Sequence, residues 1–262
     1  MTKFSSILLW IALGSGLFAS ESIFAREESL RLAEREVRFE VLIGGQGDNG
    51  ILFLSLHSNE KTSVDSLRYF LPQIGGKFVA IQASGDRRLH LAPGRTSVTI
   101  DPNRMFSPVG IERDLKRFSI PRPGDADRVE VFGKAVVERY LKPAKLVVAL
   151  HNNTPNGFSI LSYQPGGSEA ASAGKIYVNT EHDPDNFFVV TVPAHFEALK
   201  RVGYNVVLQA DEPVDDGSLS VFCGRSGIPY VNIEAEHGDV GMNRQMIRSL
   251  MKILGQPIPE AN

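Results

Sequence analysis

Cysteine is almost absent. Cys223 is the only one in 262 residues, so no disulfide closes within the chain and stability has to come from packing. Within Val221-Phe222-Cys223 it reads as a small buried hydrophobe rather than a nucleophile. An excess of either charge is missing too. With 28 Lys and Arg against 30 Asp and Glu, the net charge is −2, which lacks the basic footprint of a nucleic-acid binder. There is no internal repeat and no low-complexity tract, so the chain is not a repeat array. The glycine-rich stretch 44–50 lacks both the GxGxxG order and a P-loop lysine. It reads as a tight hairpin turn between a strand at 39–43 and the next strand, not as a phosphate cradle.

Long hydrophobic runs are scarce as well. The one at 7–18 follows Lys3 and precedes polar residues 20–22, and it is too short for a comfortable membrane span. Residues 1–25 are therefore expected to be a signal peptide, with cleavage after Ala19, Ser22 or, preferred, Ala25. An uncleaved anchor is the competing reading. No cysteine follows the run, which argues against a lipoprotein. The expectation is a periplasmic or secreted protein with no stable membrane insertion after cleavage.

What remains, 26–262, fits one α/β domain with ample core, 42% of the whole chain being hydrophobic. Short apolar runs at 39–43, 51–56, 77–83, 146–150, 205–209 and 230–233 read as strands. Helical spacing marks 62–71, 125–141, 194–202 and 243–254. The charge-dense 27–38 fits a short helix or an extended lead-in. Residues 113–122, 154–179 and 211–217 read as loops.

Two of the apolar strands end on a histidine. Residues 51–56 deliver His57, with Glu60 three residues on, and 146–150 deliver His151. The carboxyl edge of an open α/β sheet is where ligands bind, and imidazole with carboxylate suits zinc. Packed turn residues would be the plain alternative for His57 and Glu60 alone; a second strand-end histidine weighs against it. The segment 182–185 (HDPD) reads as a capped turn in preference to a second metal site. Arg87, Arg88, His90 and Arg95 crowd ahead of Asp101-Pro102-Asn103-Arg104 as candidate anion binders.

The motifs HSNE (57–60), DPNR (101–104), LHNN (150–153) and IEAEHG (233–238), in this order across 39–254, resemble the zinc metallocarboxypeptidases, including small bacterial and succinylglutamate desuccinylase-related members. The resemblance implies a central mixed, twisted sheet flanked by helices. It implies one zinc ion on His57, Glu60 and His151, with Asp101 orienting His57. Asn103 and Arg104 match the pair that grips a substrate carboxylate. Glu234 matches the general base and Arg95 the arginine at the scissile carbonyl, with Arg87 and Arg88 open alternatives. Glu236 lies on the same strand face as Glu234, so it competes for the role of base. The family's tyrosine before the last strand has no counterpart in 209–222. The implied activity is amide hydrolysis on a small peptide with a free C-terminal carboxylate, peptidoglycan stem peptides included. The runner-up is N-acyl amino acid deacylation of the aspartoacylase type, and the non-enzymatic alternative is a peptide-binding carboxypeptidase-like protein.

Overall fold

The computed structural model describes residues 23–83, 85–92, 98–155 and 157–258. Most of the signal-peptide segment, Arg95 and residue 97 therefore lie outside the described residues. Among those described, eleven strands and six helices follow in order: β1 (Phe24–Leu32), β2 (Arg35–Ile43), β3 (Ile51–Ser55), α1 (Lys61–Phe70), β4 (Lys77–Gln82), β5 (Leu89–His90), β6 (Thr99–Ile100), α2 (Pro108–Phe118), α3 (Asp125–Val136), β7 (Leu146–Asn153), β8 (Ala173–Tyr177), β9 (Phe187–Val190), α4 (Pro193–Arg201), β10 (Asn205–Gln209), α5 (Leu219–Arg225), β11 (Tyr230–Glu236) and α6 (Val240–Ile253).

Nine strands form one mixed sheet in the order β1-β2-β4-β3-β7-β11-β9-β10-β8. Its centre, β4-β3-β7-β11, is parallel, while β1, β2, β9 and β8 each make an antiparallel pairing. A parallel centre is buried on both faces, which explains why β3 is buried at every position and apolar at all but its last, Ser55. The expected single α/β domain with a central mixed sheet flanked by helices is what forms.

The two faces differ. On one, α1, α4 and α6 cover a continuous core that runs from Leu42 through Phe53, Val148 and Ile233 to Val206. On the other, α2, α3 and α5 cover a cluster under β2, β3, β4 and β7. A smaller cluster of Ile160, Phe187, Val189 and Val207 lies further along that face. Between these two clusters run the polar side chains of β7 and β11.

Several sequence expectations need correction. Stretch 44–50 is not a hairpin, because β4 lies between β2 and β3. The turn instead docks under the α1–β4 connection, where Gly44 N–H donates to Gly76 O and Gly45 N–H to Leu71 O. A Cβ on Gly44 would fall 2.2 Å from Ile74 O, so glycine is required by close approach. Segment 27–38 resolves as a β-hairpin turning at Ala33 and Glu34, with Ala33 at φ 52°. Part of the loop expected at 113–122 is the second half of α2, whose buried stripe is Ile111 and Leu115 behind charged neighbours. The loop expected at 154–179 contains β8 as an edge strand. Strand β9 and helix α5 were not anticipated.

Candidate metal centre

Parallel register sets the site. His57 follows β3 by two residues, and His151 and Glu234 are direct register partners on β7 and β11. Paired residues share a face, so both side chains emerge on the polar strip. Glu60 enters from the start of α1, where Ser63 and Asn152 fasten the helix to β7: Asn152 Oδ1 accepts from Ser63 N–H at 3.0 Å and from its hydroxyl at 3.2 Å. The Asn152 amide in turn donates to Ala235 O on β11. The α1 start is thus fixed against both histidine- and glutamate-bearing strands.

His57, Glu60 and His151 are all buried, and one donor atom from each lies within 4.8 Å of the others. Glu60 sits between the imidazoles: Oε1 is 2.9 Å from His57 Nδ1 and Oε2 is 2.9 Å from His151 Nδ1. The first approach lacks hydrogen-bond alignment, so His57 Nδ1 is buried without a partner among the described residues. Its other nitrogen, Nε2, lies 2.8 Å from Asp101 Oδ1 and is best read as donating its proton there. That leaves the Nδ1 lone pair facing the triad. Two imidazole nitrogens and a carboxylate, one imidazole tautomer fixed by an outer carboxylate, is a donor set that fits a divalent metal such as zinc.

Without a metal, the two carboxylates favour the charged imidazole; a metal ion would take the place of the Nδ1 proton. Burial alone would lower the His57 pKa, but Glu60 and Asp101 together raise it from 6.5 to about 9. Burial pushes Glu60 up; His151 and His57 outweigh it and hold the carboxyl well below its usual range. Asp101 is likewise held low, by His57 and Arg87, against its own burial. Glu234 goes the other way. Burial raises it above the ordinary glutamate value, with His151 opposing and the Glu60 charge adding to the rise. Asn232 Nδ2 donates to Glu234 Oε1 at 3.0 Å. A buried carboxylate with a raised pKa beside a candidate metal triad has the profile of a proton-transfer group. Glu236, also on β11, is partnered with Asn153 rather than with a histidine.

Of the two described arginine candidates, Arg87 reaches the site. Its Nη1 is 2.9 Å from Glu60 Oε1 and its Nε 3.3 Å from Asp101 Oδ2. Arg88 turns away to Asp114 and Thr99 and lies over the Phe118 ring at 4.3 Å. Arg95 lies outside the described residues. Asp101 also caps the turn at Pro102–Arg104, accepting from Asn103 N–H at 2.8 Å. Asn103 Oδ1 accepts from Leu219 N–H at the start of α5. Arg104 Nη1 pairs with Asp216 Oδ2 at 2.9 Å. The acidic loop carrying Asp216 is held close because Gly110 and Gly217 touch: a Cβ on Gly110 would lie 2.3 Å from Gly217 Cα. Phe106 N–H also donates to Gly217 O.

Four residues near the site escaped the sequence reading. Tyr163 packs against Phe187, the β9 register partner of Glu234, with ring centroids 6.0 Å apart. Burial and the charges of Glu234, Glu169 and Asp216 push its phenol well above the usual value, against Arg104. This tyrosine comes from the long loop after β7, not from the loop before the last strand. Asn232 was readable in principle, since it stands two residues before Glu234 on the same strand face. Asp216 and Glu169 carried no such signal. The segment at 182–185 forms a capped turn, with Asp183 Oδ1 accepting from Asp185 N–H at 2.8 Å and the His182 ring against Tyr204.

No protein-family profile matches the chain, and neither does any curated protein sequence. Solved structures do resemble it. The product-bound ectoine utilization protein EutE (DoeB) of Ruegeria pomeroyi is 14% identical with a TM-score of 0.50, covering 95% of this chain and 72% of its own. The fold is shared. A succinylglutamate desuccinylase/aspartoacylase of Rhodobacter sphaeroides is 14% identical, TM-score 0.49, with coverage of 95% and 70%. The murein-tripeptide amidase MpaA of Escherichia coli O157 is 11% identical, TM-score 0.46, with coverage of 90% and 93%.

Proposed function

We propose that this protein is a zinc-dependent hydrolase of an amide bond, acting on a small peptide or N-acyl amino acid whose leaving part ends in a free carboxylate. The observation that carries the reading is the buried, unpartnered Nδ1 of His57 facing Glu60 and His151, with Glu234 on the adjoining strand. A zinc ion held by these three residues would polarise the scissile carbonyl and activate water. Glu234, buried and raised in pKa, accepts a proton from the attacking water and returns it to the departing amine. Arg87, anchored by Glu60 and Asp101, lends positive charge where the oxyanion develops. Asn103 and Arg104 hold the substrate carboxylate. The N-terminal segment directs the protein to the periplasm or outside the cell, and a peptidoglycan-derived peptide is a natural substrate there.

The test joins metal content to turnover. Purified protein should contain one zinc per chain, and His151→Ala should lose it. A peptide should be cleaved far faster than its C-terminal amide, because the amide offers Arg104 no carboxylate to pair with. Zinc at full stoichiometry in the His151 variant, or equal rates on acid and amide, would overturn the reading. Amino-terminal sequencing of protein recovered from the periplasm checks export.

A further inference from the structure

Glu60 stands at the N-cap of α1, with φ −88° and ψ 58°. A side chain there usually accepts from an N–H in the first turn, because those N–H groups have no partner inside the helix. Glu60 makes no such bond. Its oxygens face the other way: Oε1 is 2.9 Å from both His57 Nδ1 and Arg87 Nη1, and Oε2 is 2.9 Å from His151 Nδ1. A carboxylate that capped its own helix would have to withdraw an oxygen from the triad.

The missing cap comes from β7. Asn152 Oδ1 accepts from the N–H of Ser63, the third residue of α1, at 3.0 Å. The Ser63 hydroxyl lies 3.2 Å from the same oxygen and 3.2 Å from Glu60 O. Ser63 is 0% exposed, so without Asn152 its N–H would be buried and unserved. The other end of the carboxamide is fixed as well. Its Nδ2 donates to Ala235 O at 3.2 Å on β11 and to Asn243 Oδ1 at 3.3 Å on α6. Asn243 is itself held, donating to Asp239 O at 2.7 Å. With Nδ2 facing two acceptors, Oδ1 has to face α1. Successive strand residues point to opposite faces, so His151 enters the triad while Asn152 reaches the helix that begins at Glu60.

We propose that Asn152 is a positioning residue for the metal centre, capping α1 in place of Glu60 and so leaving the Glu60 carboxylate free to serve as a ligand. This rests on the metal reading above. Without the carboxamide, Ser63 N–H becomes an open donor in the first turn, and a Glu60 oxygen that turns to it is lost to the ion.

Two measurements on the full-length protein test this without turnover. The first is amide exchange at Ser63 in metal-free protein; the second is zinc affinity by competition with a chromogenic chelator. Asn152→Ala should speed exchange at Ser63 and weaken zinc by about 10–100-fold. Asn152→Asp, which keeps the acceptor, should leave Ser63 protected and recover most of the affinity. Leu199→Ala, which empties a fully buried position on α4, should lower the melting temperature and leave zinc affinity as it was. Where Asn152→Ala does not fold, Ser63→Ala, which removes the hydroxyl alone, should weaken zinc by a smaller factor. Unchanged exchange at Ser63 or unchanged zinc affinity in Asn152→Ala overturns the inference, as does unchanged affinity in Ser63→Ala where that variant stands in. Equal weakening by Asn152→Asp and Asn152→Ala, or by Leu199→Ala, overturns it too. No zinc on the unaltered protein removes the metal reading and this inference together; equal zinc affinity in parent and Asn152→Ala removes this inference alone.

Discussion

One face of the sheet carries an unbroken core, and the other is divided. Under α1, α4 and α6, apolar contacts run from Leu42 near one edge to Val206 near the other. Under α2, α3 and α5 the apolar layer ends at Ala149 on β7 and Tyr230 on β11 and resumes at β9, and His151, Asn232 and Glu234 fill the interval. The same strands serve both faces, because alternate residues of LVVALHNN and YVNIEAE point in opposite directions. Stability and chemistry are therefore interleaved along the same backbone, and buried polar groups are tolerated where the opposite face is already packed.

That contrast can be broken most sharply at Glu234. Glu234→Gln should lower turnover by about 10²–10⁴-fold while the zinc content and the melting temperature stay at or above those of the parent protein. A large fall in melting temperature would mean the polar strip holds the fold. On the continuous face, Phe188→Ala should cost about 3–5 kcal/mol in urea unfolding, since the buried ring packs edge-on against Tyr204 at 5.2 Å. The small cluster offers the intermediate case. Ile160→Ala should cost about 2 kcal/mol, near the low end for such truncations, because few neighbours surround it.

A further test concerns pH and the metal. In metal-free protein His57 has a pKa raised from 6.5 to about 9, so its pairing with Glu60 and Asp101 is fully stabilising below about pH 6.5 and is lost as pH rises through 9. Glu60 and Asp101, held low, act in the opposite sense and lose their contribution only in acid. Protein stripped with a chelator should therefore melt progressively lower between pH 6.5 and 9. Zinc-loaded protein should show a flatter profile, because the metal takes the neutral imidazole. Identical profiles would mean no metal occupies the triad.

Much of this division was legible in the sequence. The short apolar strands ending in His57 and His151 stand out because β-branched and leucine runs of that length are bounded by polar residues. What escaped has physical reasons. Strand β9 is only four residues, too short for periodicity to separate it from a connector into α4. Helix α2 hides its two buried aliphatics behind a charged outer face. The stretch 44–50 looked like a hairpin because neighbours in sequence usually pair, and nothing local says that β4 will come between β2 and β3. Choosing among Arg87, Arg88 and Arg95 depends on where Asp114 and Phe118 draw Arg88, a tertiary fact. Asp216 meets Arg104 because the Gly110–Gly217 contact folds the acidic loop inward.

Asp101 has one further consequence. Its two carboxylate oxygens serve the imidazole of His57, the guanidinium of Arg87 and the backbone N–H that sets the Asn103–Arg104 turn. Under the proposed function, affinity for the ion and grip on the substrate's tail would therefore not be separate dials, since both would depend on residue 101. On the same reading, a change of leaving group would be better sought in the loop bearing Asp216, which pairs with Arg104 and leaves the imidazole's partner alone.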